Sequence, residues 1–441
     1  MPHRGPLAKF QVCVVGLGYV GLPTACALAE SGLRTVGVDM RKDVVDLVSA
    51  GRSPFSERDL VASVRRQHKS GMLTATSDVN WAVGASEAVI VAVQTPFEHG
   101  RSNLGYLEDA CEEVAAALRK GSTVILESTV PPGTSSRVVL PIFKRHGMLD
   151  GTGFFFAYCP ERIAPGDSLR EFKENERIIG ADRPISAKKA IRILGRAVRG
   201  KISITDLLTA ETTKLVENAA RDVYIAFAND LAKMSARIGV DAREVIELAN
   251  THSRVKILNP GPGVGGPCLT KDPYLLLEGI PDDGGRAGTM IRTAREVNDS
   301  MRDEVLSLVR KRGIPQGAKV AVLGTSYKAE VDDPRSSPSE PIIAALLEQG
   351  YQVHAYDPHC NESFGARTSE TVEAALEGAS CALVLVAHRR FRATAFGDLV
   401  ALMGPDPVVI DAAGVFARGA AKGTHGALVR LGDGRRPGRE G

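Results

Sequence analysis

The sequence predicts an α/β protein in which two doubly wound, Rossmann-like domains are joined by a central helical domain containing one long helix. Three observations carry this. A β-α-β signature with a glycine fingerprint opens the chain, a run of thirty-odd residues at helical period without Gly or Pro occupies its middle, and strand–helix alternation resumes near residue 315. The expected boundaries are 1–205, 206–314 and 315–425, with 426–441 a flexible Gly/Arg-rich tail.

The first strand, Val12 to Val15, is apolar throughout and runs into Gly16-x-Gly18-x-x-Gly21. An amphipathic helix follows, Ser31-Gly32 ends it, and a second strand closes on Asp39. The physical demands of such a unit are specific. Gly16 makes the tight turn, Gly18 lets a pyrophosphate approach the backbone, Gly21 lets the helix pack on the strand, and the free N–H groups at the helix start favour negative charge. Asp39 stands where a carboxylate accepts hydrogen bonds from an adenosine ribose, which predicts NAD rather than NADP. A glycine fingerprint alone also fits an ordinary Gly-rich turn; the strand before it, the helix after it and the terminal acid narrow that reading. Further strands are expected at AVIVAVQTP, STVILESTV, GFFFAYCP and RIIGA, between helical or loop stretches such as LEDACEEVAAALRKG.

From Asp206, DLLTAETTKLVENAARDVYIAFANDLAKMSARIGV reads as one long helix that ends at Gly239. DAREVIELAN is a second helix and TMIRTAREVNDSMRDEVLSLVRKRG a third, with the stretch NPGPGVGGPCLTKDP between them. The second α/β domain rests on strands at KVAVLG, QVHAYD, ALVLVA and PVVIDAA, with a helix at SEPIIAALLEQG.

A chain of 441 residues is too long for one ordinary core, and 44% hydrophobic with 24% charged residues is the balance of a globular enzyme. A net charge of +3 is too small to point to nucleic acid or an acidic membrane surface. The seven cysteines are scattered, with no CxxC pair and no Cys/His cluster at zinc spacing, so a reduced compartment is expected and a metal is not. No apolar h-region opens the chain and no run of eighteen apolar residues follows, so neither a signal peptide nor a membrane span is expected, and the location is read as cytoplasmic.

Four separated stretches place polar groups where a fold does not need them. In LESTVPPGT an apolar strand ends in Ser128 and Thr129, and ligands of open parallel sheets bind beyond such strand ends; a threonine there is also an ordinary turn residue. In YCPERIAPG, Glu161 stands beside the same crevice as a candidate general base, or else pairs with Arg162 on the surface. Lys214 and Asn218, four apart on the long helix, share a face on which an ammonium and an amide can converge on one oxygen, unless that face is simply solvated. Cys268 and Asp272 are also four apart. If CLTKDPYLL begins a helix, the thiol sits in its first turn, where the dipole favours the thiolate, while the other six cysteines are by default inert packing residues.

Taken in this order along one chain, GLGYVGL, ESTVPPGT, CPERIAPG, the Lys214/Asn218 helix, NPGPGVGGPCLTKDP and SYKAEVDDPRSSP closely resemble the nucleotide-sugar 6-dehydrogenases, over about residues 9 to 420. That family comprises the UDP-glucose, GDP-mannose and UDP-N-acetylhexosamine dehydrogenases. The resemblance implies an NAD-binding first domain, a central helical dimerisation domain, a C-terminal domain for the UDP moiety and a homodimer. It also implies four-electron oxidation of the sugar's primary alcohol to a carboxylate with two NAD⁺, through a thiohemiacetal and a thioester on a cysteine.

Carried over residue by residue, Cys268 matches the nucleophile, Asp272 and Thr129 the groups that order water, and Glu161 the acid/base for hydrolysis, while Lys214 and Asn218 match the pair that stabilises negative oxygen. Cofactor contacts are implied for Gly16, Gly18, Tyr19, Val20, Gly21, Asp39, Thr95, Thr129 and Arg335. Substrate contacts are implied for Glu161, Arg162, Ile163, Lys214, Asn218, Arg254, Gly265 and Lys328, with Arg254 resembling the arginine that crosses the dimer interface. PERIAPG with Pro165, ENERIIGA and GPGVGG resemble the N-acetyl branch, which implies a UDP-N-acetylhexosamine, UDP-N-acetylmannosamine ahead of UDP-N-acetylglucosamine. Three departures stand out: Gln94 in VAVQTP, Pro267 where one branch has His and another Ser, and PRSSP, which leaves no carboxylate beside Arg335. The alternatives are a UDP-glucose 6-dehydrogenase, a two-electron hydroxyacid dehydrogenase, which leaves Cys268 and the second α/β domain unexplained, and an inactive nucleotide-sugar sensor, which would have lost these polar residues.

Overall fold

The computed structural model describes residues 9–164, 166–281 and 285–435, so Pro165 and the end of the expected tail lie outside the described residues. By contacts the chain divides into two compact units, one of residues 1–217 with 274–281, the other of residues 218–273 with 282–441.

Among the described residues the first unit contains ten strands: β1 (Phe10–Val15), β2 (Thr35–Val38), β3 (Leu73–Thr76), β4 (Ser86–Val91), β5 (Phe97–Glu98), β6 (Arg101–Ser102), β7 (Thr123–Leu126), β8 (Phe155–Tyr158), β9 (Arg177–Gly180) and β10 (Ile202–Thr205). Eight form one sheet in the order β10-β9-β8-β7-β4-β1-β2-β3, while β5 and β6 make a separate hairpin. Neighbours are parallel except β8 and β9. Helices on both faces bury the inner strands from two sides, which is why β2 and β7 read as unbroken apolar or small-residue runs. Val12 and Val14 pack into one core and Cys13 and Val15 into the other, as the two-residue repeat of a strand requires. The strand order reverses between β1 and β4, and that switch point opens a crevice beyond the strand ends.

The second unit begins within the long helix, Leu207–Ile238, and includes the helices Ala242–Ala249, Thr289–Asp299 and Met301–Lys311. Its sheet is parallel throughout: β11 (Lys319–Leu323), β12 (Gln352–Tyr356), β13 (Arg367–Thr368), β14 (Cys381–Val384), β15 (Val408–Asp411) and β16 (Ala427–Arg430), in the order β13-β12-β11-β14-β15-β16. Here the switch point lies between β11 and β14, and alternate residues of β11 again feed opposite cores.

Three expectations need correction. The expected third helix is two, because the Ser300 hydroxyl bonds back to the Val297 carbonyl at 2.7 Å and competes with the helix ladder at the break. The tail does not start at 426, since Ala427–Arg430 pair in parallel with β15. The helix after the Gly/Pro stretch begins at Asp272 rather than at Cys268.

Candidate active-site residues

In the first unit two of the three fingerprint glycines sit where a side chain would collide with the backbone. Gly16 has φ +93°, and a Cβ there would stand 2.5 Å from the Ala92 carbonyl oxygen, while a Cβ on Gly21 would stand 1.8 Å from that of Gly16. Gly18 has open space around it, with no heavy atom within 4 Å of a Cβ position. Asp39 follows β2 and accepts the Leu17 N–H at 2.8 Å and the Arg41 N–H at 2.9 Å, so the carboxylate is locked to the glycine loop. Val20 precedes the first helix, Gly21–Glu30, and Tyr19 packs its ring on Phe55. An open Gly18, a helix start and a fixed carboxylate together fit the diphosphate and ribose of a dinucleotide. Beyond β4 and β7, the buried Thr95 donates its hydroxyl to the Thr129 carbonyl at 2.6 Å, tying the two strand ends together.

Glu161, beyond β8, is buried, and both its oxygens are engaged: Lys214 donates to one at 2.9 Å and the Ile163 N–H to the other at 2.8 Å. Arg162 does not pair with Glu161; its guanidinium binds Glu217 and the Glu176 carbonyl. Beneath this group lies a residue that the sequence reading passed over. Glu127 is fully buried, accepts the Thr24 hydroxyl at 2.9 Å, and leaves its second oxygen without a hydrogen bond among the described residues. Burial pushes its carboxyl up to about 7, against the pull of the buried Arg177 guanidinium and the Thr24 hydroxyl, and Glu161 adds to the rise.

In the second unit the Gly/Pro stretch carries Cys268 out to solvent. Of the seven cysteines it alone is exposed; the others are buried, and burial pushes the thiols of Cys26, Cys111, Cys159 and Cys381 up to about 12. The backbone reason for the glycines is direct. Gly263 and Gly266 have φ of +138° and +90°, and a Cβ on Gly265 would stand 2.6 Å from the Ser336 carbonyl oxygen. The Cys268 carbonyl accepts the N–H groups of Lys271 and Asp272, at 3.1 and 2.9 Å, in a turn that leads into the helix Asp272–Glu278. Asp272 is buried, with its carboxylate between Asn218, 2.5 Å away, and Lys271, 3.1 Å away. Lys214 and Asn218 thus share a helix face, but each is committed to a different carboxylate.

A buried polar network supports this loop. Arg295 donates to Asp222 at 2.7 Å and to the Leu269 carbonyl at 3.4 Å, Asn298 donates to Asp222 at 2.8 Å, and Asn229 bridges Asn298 and the Gly261 N–H at 2.9 Å each. The network grips both ends of the stretch 261–269. Its only trace in the sequence is polar residues seven apart on the long helix and three apart on Thr289–Asp299.

Lys328 is exposed in the loop after β11, and Arg254 is exposed after the Ala242–Ala249 helix. Arg335 is not without a carboxylate, as PRSSP had suggested: Asp333, two residues before it, takes the guanidinium in a fork.

The family model for the NAD binding domain of the UDP-glucose/GDP-mannose dehydrogenase family matches residues 10–197, that for the central domain 208–300, and that for the UDP binding domain 321–418. The chain belongs to this family. It is 38% identical to a UDP-N-acetyl-D-mannosamine dehydrogenase of Methanocaldococcus jannaschii over 87% of its own length and 86% of that protein's. It is 39% identical to an NDP-N-acetyl-D-galactosaminuronic acid dehydrogenase of Ralstonia nicotianae over 86% of this chain and 91% of the relative. The solved structure of a UDP-D-ManNAc dehydrogenase from Pyrococcus horikoshii superposes with a TM-score of 0.89 at 35% identity, covering 97% of this chain and 100% of that one. As a member of the UDP-glucose/GDP-mannose dehydrogenase family, the protein is an NAD-dependent nucleotide-sugar dehydrogenase. Among the described residues, no helix is long and apolar enough to cross a membrane.

Proposed function

We propose that this protein oxidises the 6-hydroxymethyl group of a UDP-N-acetylhexosamine to the carboxylate, in two two-electron steps on one carbon, and that it works as a homodimer. The observation that carries the reading is Cys268: one exposed thiol among seven, delivered by a loop whose glycines exist to be bent, with the buried Asp272 one turn on. When bound, NAD⁺ supplies the hydride acceptor for each step.

The chain's own residues account for the rest. The first oxidation passes a hydride to that acceptor and the hydroxyl proton to water ordered by Thr129 and Asp272, and leaves an aldehyde. The Cys268 thiolate adds to its carbonyl carbon, giving a thiohemiacetal whose oxygen Lys214 and Asn218 stabilise. Loss of a second hydride yields a thioester. Water, ordered by Thr129 and Asp272 with Glu161 taking its proton, adds to the thioester carbon, and the thiolate leaves as the carboxylate forms. The buried ion pair with Lys214 supports this role for Glu161, because it keeps the carboxylate in place without exposing it to bulk water.

The N-acetyl preference is supported by PERIAPG and GPGVGG and by relatives whose names carry N-acetyl sugars. The homodimer is supported by an apolar seam on the second unit's part of the long helix: Tyr224, Phe227, Met234 and Ile238 are 58%, 54%, 41% and 73% exposed at coiled-coil spacing, which suits a second copy of the chain.

The test is a panel of UDP- and GDP-sugars with NAD⁺, counting NADH per sugar consumed. A UDP-N-acetylhexosamine should give two NADH, and UDP-glucose and GDP-mannose should react at least about 100-fold less efficiently, on the order of 2.7 kcal/mol. One NADH per sugar would overturn the four-electron course, and efficient oxidation of UDP-glucose would overturn the sugar assignment.

A further inference from the structure

A parallel sheet needs no buried aspartate–histidine pair to close it; apolar side chains would serve at lower desolvation cost. Yet Asp357 and His388, which follow β12 and β14, the two strands that flank β11, both have fully buried side chains. Asp357 Oδ2 accepts the N–H groups of Thr325 and Ser326 at 2.8 and 2.9 Å and lies 3.0 Å from Nε2 of His388. Its other oxygen accepts the N–H groups of His359 and Cys360. Burial alone would raise this carboxyl, but His388 and the backbone donors hold it well below the usual carboxylate range.

His388 Nδ1 accepts the Glu330 N–H at 3.1 Å, which assigns the ring proton to Nε2, facing Asp357. Glu330 and His359 also approach this ring, but its Nδ1 is already occupied by that N–H, so the three do not form an open ligand set for a metal. Ser326 donates its hydroxyl to the Lys328 carbonyl at 3.0 Å, and Glu330, held at φ +64°, accepts the Arg389 N–H at 2.8 Å. The backbone is therefore pinned at 325, 326, 328 and 330. The side chain presented at the middle of this pinned arch is the exposed Lys328, beyond β11 at the β11/β14 switch point, where open α/β sheets bind ligands.

We propose that Asp357 and His388 are positioning residues for the nucleotide diphosphate, holding the 325–330 arch so that the Lys328 ammonium meets it. The proposal rests on the reading that this unit takes the UDP moiety. The experiment is calorimetric binding of UDP, and separately of NAD⁺, to the full-length chain carrying Lys328→Ala, His388→Leu, His388→Asn, Asp357→Asn, or Lys328→Ala with His388→Leu. Each of the first two should weaken UDP at least about fivefold, and the double variant should be no weaker than the weaker single, because both changes remove one contact. His388→Asn should recover part of the loss, since its amide oxygen can accept the Glu330 N–H, and NAD⁺ affinity should not change in any variant. If His388→Leu does not fold, the cycle runs with Asp357→Asn in its place. Multiplicative losses in the double variant, unchanged UDP affinity in His388→Leu and Asp357→Asn, or NAD⁺ affinity falling in step with UDP would overturn the positioning role. A wild-type chain that binds no UDP would instead bring down the reading on which it rests.

Discussion

Glu127→Gln isolates one charge without leaving a cavity. In the folded protein the Glu127 carboxyl is pushed from 4.5 up to about 7 by burial, with Arg177 and Thr24 opposing and Glu161 adding. The sign follows from linkage. Between these two values the folded state holds a proton that the unfolded state has lost, so this group lowers stability as pH rises from about 4.5 to about 7, and the penalty is constant above that. At about 1.4 kcal/mol per pH unit, its full size is about 3 kcal/mol. The glutamine is neutral at every pH and can still accept the Thr24 hydroxyl, so the variant should match wild type near pH 4.5 and exceed it by about 3 kcal/mol at pH 8. Urea unfolding followed by the single tryptophan, Trp81, reads the first unit specifically. A stability difference that is the same at pH 5 and pH 8 would refute the reasoning, because a purely steric or hydrogen-bonding change carries no proton.

Three further outcomes are expected. Asp39→Ala should narrow the preference for NAD over NADP, chiefly by weakening NAD, because the carboxylate that holds the Leu17 and Arg41 N–H groups is also the one placed for a ribose; ratios of kcat/KM for the two cofactors test this, and equal use of both by wild type would contradict it. Cys268→Ser should keep cofactor and UDP binding while losing full turnover, since a hydroxyl is a far poorer nucleophile than a thiolate at neutral pH; undiminished production of two NADH per sugar would remove the covalent route. Arg295→Met should cost about 3–5 kcal/mol by leaving Asp222 buried without its guanidinium, and should lower kcat because the Leu269 carbonyl loses a donor beside Cys268; unfolding curves and steady-state rates measure both, and unchanged values in either would argue against the network.

What the sequence disclosed, it disclosed through local chemistry. Gly16 and Gly266 have positive φ, a demand of their own backbone that a Gly-rich motif signals, although the atoms a Cβ there would meet, in Ala92 and Tyr327, are distant in sequence; the apolar runs of the inner strands are legible because both sides of each strand are covered. The short edge strands β10 and β13 carry half-exposed or exposed residues with no apolar run to find, and β16 offers only the brief Ala427–Val429 run inside a Gly/Arg-rich stretch. The split at Ser300 depends on one hydroxyl turning back on its own helix. Site residues were legible as types but not as pairs: Lys214 finds Glu161 across 53 residues and Asn218 finds Asp272 across 54, and four-residue spacing on a helix says only that two side chains share a face. Glu127 was hidden for a similar reason, because a glutamate after an apolar strand does not announce that it is buried. Asp333 was hidden by the expectation that the partner of Arg335 should follow it rather than precede it.

The glycines of the cysteine loop lie hard against the arch that bears Lys328. A Cβ on Gly266 would stand 2.7 Å from the Tyr327 ring, and one on Gly265 would stand 3.0 Å from the Tyr327 Cβ, so the two loops are in close contact here. A close-packed boundary of this kind transmits displacement rather than absorbing it. On the proposed function, the nucleotide end of a substrate would therefore have a mechanical route to Cys268, and attraction gained at one loop could be spent on aligning the other. On that reading a sugar phosphate stripped of its nucleoside would forfeit turnover as well as affinity, and Gly265 is one of the points at which the two loops meet.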